Sequence, residues 1–180
     1  MPRKRRTRSD SKCVRDRFSK RQIGGKRGAK IDPHGYDAGK KIKGKKRHAL
    51  VDTTGLLMSI FVHPADIQDR DGGVMLMQKM GSKKFPRLKK LFADGGYRGP
   101  KFAEALKKIF SNLKVEIVKR SDNAEGFEII PKRWVVERTF AWLGRCRRLA
   151  KDWENLTAHA LAFVKLASIR FMLRKLCSPQ

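Results

Sequence analysis

Acidic residues are scarce in this chain of 180 residues: 17 Asp and Glu stand against 44 Lys and Arg, a formal charge of +27. Self-repulsion of that size implies a polyanionic partner, with nucleic acid ahead of an anionic membrane surface. Cysteine is equally sparse. Cys13, Cys146 and Cys177 are widely separated and form no CxxC pair, which argues against a disulfide framework or a zinc ribbon. No apolar run reaches the roughly 18 to 20 residues of a membrane span, and the N-terminus lacks the apolar core of a signal peptide, so an intracellular protein is expected. HExxH and GxSxG are both missing, leaving zinc-protease and serine-hydrolase chemistry unsupported. His34, His48, His63 and His159 are dispersed and show no ligand spacing.

What is present divides into a basic part and a patterned part. Residues 1–48 hold 19 Lys and Arg against 4 Asp, are punctuated by glycine, and show almost no apolar periodicity. A loop-rich segment pressed against phosphates is expected there, 1–47, with the ordered domain over 48–176 and a short tail at 177–180. From Ala49 the texture changes. Two apolar runs around Thr53-Thr54-Gly55 read as a β-hairpin closed by Pro64. A polar start at Asp66 to Asp71 leads into a helix ending near Met80, followed by a strand over Leu88 to Ala93. Pro100 to Phe110 reads as an amphipathic helix with proline in its first turn, and Val115 to Val118 as another strand. Strand, helix, strand in succession predicts a parallel βαβ unit, hence an α/β fold with a mixed sheet and flanking helices. Two helices fill the remainder, Trp134 to about Lys151 and Leu156 to Leu176. The second carries Leu161, Val164, Leu166, Ile169, Leu173 and Leu176 on a broad face expected to pack on the core.

Against so much positive charge, two acids stand out. Asp94 ends the apolar run Leu91-Phe92-Ala93 and is followed at once by Gly95-Gly96. Functional groups of open α/β sheets gather at the carboxyl ends of strands, and paired glycines let a phosphate approach closely. Asp before Gly also commonly does no more than stabilise a turn. Glu137 falls among Trp134, Phe140 and Ala141 on one predicted helical face, with Arg133 one turn earlier. A glutamate facing a core there is either paired with Arg133 or bound to a metal, and both can hold together. Hard divalent cations take oxygen ligands and keep several waters, so carboxylates on separate elements suffice.

Longer motifs carry a resemblance. DSK at 10–12, GYDAGKKIKGKKRHALVDTTGLL at 35–57, HPADIQDRDGG at 63–73, ADGGYRG at 93–99 and WVVERTFAWLGRCRRLAKDWE at 134–154 closely resemble the DDE transposases of the IS5 insertion-sequence family, within the IS4-like group. The resemblance implies an RNase H-like fold in which Asp10, Asp94 and Glu137 hold two Mg²⁺ or Mn²⁺ ions for DNA cleavage and strand transfer. Arg133 resembles the arginine one turn before the family's glutamate. Where that family has a tyrosine shortly before this arginine, Ile130 and Pro131 stand, and Arg145 occupies the neighbourhood of its later lysine. An apolar strand normally leads into the first Asp-Ser; here Arg3 to Ser9 precede Asp10, so an incomplete first strand is expected, as from a downstream reading frame or a truncated copy. Asp52 is a fallback acid read as a turn residue.

The resemblance therefore implies a cytoplasmic bacterial enzyme acting on the terminal inverted repeats of its element and on target DNA, as a homodimer or joined to an upstream product. Phosphate contacts are assigned to Lys40, Lys41, Lys43, Lys45, Lys46, Arg47, Arg133, Arg145, Arg147 and Arg148. Two other readings remain: a catalytically silent remnant that binds DNA, and a basic RNA-binding protein.

Overall fold

The computed structural model of the chain describes residues 10–15, 31–39, 41–118, 131–150 and 153–177, with residues 10–15, 42, 84 and 131–133 described by their backbone alone. Its centre is a mixed sheet of β1 (Asp10–Arg15), β2 (Gly35–Asp37), β3 (Ile42–Val51), β4 (Leu57–Pro64), β5 (Lys90–Asp94) and β6 (Lys114–Val118). Across the sheet the order runs β4-β3-β1-β5-β6, with short β2 paired to the first residues of β3. β3 runs antiparallel to β1, β2 and β4, whereas β5 lies parallel to both β1 and β6. The expected βαβ unit is thus β5, α2 (Pro100–Ile109) and β6.

Alternation along β3 sends neighbouring side chains to opposite faces, and each face acquires its own helices. Leu50 joins Leu76, Met77, Leu91, Tyr97, Phe102 and Leu106 in the larger core, beneath α1 (Asp69–Met80) and α2. Val51 instead meets Val136 on α3 (Pro131–Gly144). Ile60 of β4 packs with Leu143 of α3 and with Val164 and Ala167 of α4 (Thr157–Cys177). No helix among the described residues is long and apolar enough to cross a membrane.

The hairpin between β3 and β4 forms where the Thr-Thr-Gly signal predicts it. Asp52 Oδ1 accepts from Thr54 N–H at 2.9 Å, Thr54 Oγ1 at 2.8 Å and Leu56 N–H at 2.8 Å, while Gly55 takes the positive φ of 89° that side chains disfavour. Asp52 is a turn residue, as expected of it.

Three expectations need correction. The basic segment contains β1, β2 and most of β3, and the predicted boundary at 47/48 falls inside a continuous strand. That strand tolerates Lys45 and Lys46 because both are satisfied internally, while Lys43 is exposed. Lys45 Nζ donates to the Asn155 carbonyl at 2.7 Å, and Lys46 Nζ donates to the Ile67 carbonyl at 2.8 Å while lying 3.4 Å from Asp37 and 3.3 Å from Asp69. The first C-terminal helix spans Pro131–Gly144, and the chain then turns through a 3-10 segment at Arg147–Leu149. In α4 the buried residues are Ala160, Val164, Ala167 and Ser168; Leu166, Ile169, Leu173 and Leu176 point outward. A helix apolar on more than one side does not declare which side packs.

Candidate active site

Asp94 closes β5, the strand flanked by β1 and β6, and caps a 3-10 turn over Gly95–Tyr97 by accepting the Gly96 N–H on Oδ1 at 2.9 Å. The carboxylate therefore does stabilise its turn. It also sits at the carboxyl end of a parallel strand, the position at which α/β sheets present functional groups. Gly95 leaves open space around its α-carbon, with no atom within 4 Å of where a β-carbon would be.

Three residues past Asp94 the chain is anchored. Tyr97 is fully buried, and its hydroxyl lies 2.6 Å from His48 Nδ1 on β3. His48 in turn stacks on His63 of β4, with ring centroids 4.8 Å apart and planes inclined by 12°. Register explains this meeting: His48 faces Phe61 and Lys46 faces His63, so the two histidines are diagonal neighbours on one face of the hairpin. His63 Nδ1 approaches the Pro64 carbonyl at 2.6 Å, and because a carbonyl only accepts, this nitrogen carries the proton. Desolvation holds the His63 pKa below its ordinary value, outweighing the Pro64 carbonyl, which raises it. The histidine cluster was missed by scanning for ligand spacing along the chain; pairing the two strands of the hairpin is the signal that finds it.

Glu137 lies on an exposed part of α3, not on a core-facing side as its aromatic neighbours suggested. The helix is rotated so that Val136, Thr139 and Leu143, at helical spacing, are the buried residues. Thr139 Oγ1 donates to the Gly55 carbonyl at 2.7 Å and Arg138 Nη2 to the Thr54 carbonyl at 3.2 Å, tying the helix to the β3–β4 turn. Trp134 is exposed as well. The side chain of Arg133 lies outside the described residues, so its pairing with Glu137 is not among them.

Asp10 opens β1. In the parallel ladder with β5 it stands opposite Lys90, and Cys13 opposite Ala93, which leaves Asp10 four positions short of the level of Asp94. At about 3.3 Å per residue the offset is roughly 13 Å along the strands. Asp94 and Glu137 are oxygen donors of the kind Mg²⁺ and Mn²⁺ take. The register sets the Asp10 backbone below the level of Asp94, and the Asp10 side chain lies outside the described residues; among the described residues no group of three or more His, Cys, Asp or Glu is arranged to hold a metal ion.

The basic residues also separate. Lys41, Lys43, Arg145, Arg147 and Arg148 are exposed, and Arg47 is half-buried. Arg148 is engaged with Glu154 at 2.6 Å and lies over the Phe163 ring. Lys45 and Lys46 are only 7% exposed and internally bonded, so the assignment of phosphate contacts to them is corrected: neither ammonium reaches the surface. Lys40 and the Arg133 side chain fall outside the described residues.

Comparison with known proteins identifies the family and the fold. The family described as Transposase DDE domain matches residues 6–172. A protein assigned as a transposase for insertion sequence element IS402 of Burkholderia cepacia is 30% identical over 129 residues, covering 68% of this chain and 60% of that protein. The chain thus spans about three-fifths of that relative's length. Among solved structures, the catalytic core domain of BIV integrase matches with a TM-score of 0.50 at 13% identity, over 89% of this chain and 81% of that one. At that identity the likeness is one of fold: a mixed α/β, RNase H-like integrase core.

Proposed function

The chain belongs to the DDE transposase domain family, and on that premise we propose that it is the catalytic part of an insertion-sequence transposase, transferring phosphoryl groups on DNA at the ends of its element. The observation that carries this reading is Asp94, set at the carboxyl end of β5 in an integrase-like sheet and held there by its turn. Asp94 and Glu137, joined by Asp10 if β1 comes level with the end of β5, are the carboxylates that would hold divalent cations; bound there, such ions would polarise the scissile phosphate and activate the attacking oxygen. Lys41, Lys43, Arg145 and Arg147 are exposed cations that would meet DNA phosphates, with Arg148, bonded to Glu154, and half-buried Arg47 beside them. Phosphate contact of this kind is sequence-independent and weakens steeply with salt.

The test is Mg²⁺- or Mn²⁺-dependent nicking of supercoiled plasmid and of duplexes carrying the element's ends. Nicking by the wild-type chain, lost in both Asp94→Asn and Glu137→Gln with DNA affinity retained, supports the enzyme. Nicking that survives Asp94→Asn sinks it. The register of β1 favours a second reading, a domain that binds DNA without cleaving it, for which the expected result is salt-sensitive binding and no nicking. An RNA-binding protein would instead prefer RNA over duplex DNA in competition and be indifferent to Glu137→Gln.

A further inference from the structure

Among the described residues, the turn that carries Asp94 is attached to the interior through Tyr97, its buried residue. Its strand fixes it from the N-terminal side. On the other side Tyr97 is the buried residue of the turn, whereas Gly95 faces open space. We propose that Tyr97, through its hydroxyl contact with His48, is the positioning residue for Asp94, an inference that rests on Asp94 being a catalytic carboxylate.

Every side of Tyr97 is defined by a different element. Its hydroxyl meets His48 Nδ1 of β3 at 2.6 Å, and its ring lies 5.3 Å from that of Phe102 on α2. Against α1, a β-carbon on Gly73 would come within 2.6 Å of the tyrosine ring, so the glycine is what admits the ring. His48 is itself immobilised. It stacks on His63, which is bonded to the Pro64 carbonyl, and a β-carbon on Gly72 would lie 2.4 Å from Nε2 of both imidazoles. The chain of contacts therefore runs from the β4 backbone through His63 and His48 to Tyr97, and from there three residues back to Asp94. Apolar packing alone would hold a ring against Phe102 and Gly73. The directional hydroxyl contact adds the orientation about the ring axis that two consecutive glycines leave open, and outer contacts of this type commonly set how well a catalytic group is placed.

Tyr97→Phe keeps the ring and removes the hydroxyl. Amide hydrogen exchange at Gly96 and Arg98, whose N–H groups close the turn, is expected to accelerate about two- to tenfold, with protection in β3, β5 and α1 unchanged. In the nicking assay kcat falls about 10- to 100-fold while KM for DNA stays within about twofold. Unchanged exchange at Gly96 overturns the proposal. So does a loss of protection spread over the whole sheet, which would make Tyr97 an ordinary core residue.

Should Tyr97→Phe fail to fold, His48→Asn and His48→Gln decide. The shorter amide reaches the Nδ1 position and retains protection at Gly96; the longer one reaches toward Nε2 and loses it. Equal behaviour of the two overturns the proposal. The exchange arm needs no activity, so a wild-type chain that nicks no DNA defeats the functional reading while the brace is still judged. Conversely, activity abolished by Asp94→Asn but untouched by Tyr97→Phe defeats the brace alone.

Discussion

Lys46 lies between Asp37 of β2 and Asp69 at the start of α1, an arrangement in which one buried cation serves two carboxylates and a backbone carbonyl. Removing it as Lys46→Met leaves both acids without that ammonium, at an expected cost of about 3–5 kcal/mol in a denaturant titration. Its effect on DNA binding should be small: Lys43→Ala or Arg147→Ala is expected to lower the slope of log affinity against log salt by about 0.9 each, and Lys46→Met to leave it unchanged. His63 sets a pH dependence. Desolvation first, then Lys46, depress its folded pKa below the ordinary 6.5, with the Pro64 carbonyl, Asp69 and Asp66 opposing. Above pH 6.5 both folded and unfolded histidine are neutral and the full stability is present. As pH falls from there through the depressed folded value, the unfolded chain binds the proton first and stability is lost. Denaturant midpoints between pH 8 and 5 check this, and His63→Gln should flatten the slope. Gly72→Ala is expected to cost about 1–3 kcal/mol, since its β-carbon would meet both imidazoles at 2.4 Å. Gly144→Ala, with nothing within 4 Å, is the control expected to be neutral or slightly stabilising.

Helices and strands with a clear period were legible in the sequence, and their packing faces were not. α1, α2 and β6 fall within a residue or so of where capping acids, Pro100 and the Val115 run put them, because those signals are local. β3 was half hidden, because Lys45 and Lys46 read as surface charge until Asn155, Asp37 and Asp69, on other elements and up to 110 residues away, are seen to satisfy them. Glu137 was placed on the correct helix and the wrong side of it, since α3 is bulky all round and Thr139, through its bond to the Gly55 carbonyl, decides the rotation. α4 shows the same ambiguity. Leu143→Ala, on the α3 face buried against Val164 and Ala167, should cost about 2–5 kcal/mol. Leu173→Gln, on the outward side of α4, should change stability by less than about 0.5 kcal/mol. If the two substitutions cost the same, the orientation of α4 described above is wrong.

Across the molecule, the level of β1 in the sheet decides whether the acids of the candidate site can meet. Asp10 stands opposite Lys90, and bringing it level with Asp94 requires a shift of four positions. Four is even, so the shift would keep every side chain on its present face. It would, however, set Arg6, Thr7, Arg8 and Ser9 opposite Lys90, Leu91, Phe92 and Ala93, in a strand that lies between β3 and β5 inside the sheet. Charged residues are poor occupants of such a strand, and Cys13 and Val14 take the central places instead. The resemblance that marks Asp10 as the first carboxylate thus depends on residues before it that lack the apolar pattern. Substituting Arg6→Ile, Arg8→Val and Ser9→Ile should therefore move Asp10 up beside Asp94. Cross-linking reports the register directly: with Ala93→Cys, the present alignment brings Cys13 within disulfide reach, whereas the shifted alignment brings position 9 there and takes Cys13 away. A chain carrying Arg6→Ile, Arg8→Val and Ser9→Cys with Ala93→Cys should exchange the first cross-link for the second. The Ser9→Ile version should gain Mg²⁺-dependent nicking over the parent chain. Persistence of the Cys13 cross-link in the substituted chain would show that β1 is held by something other than its apolar pattern.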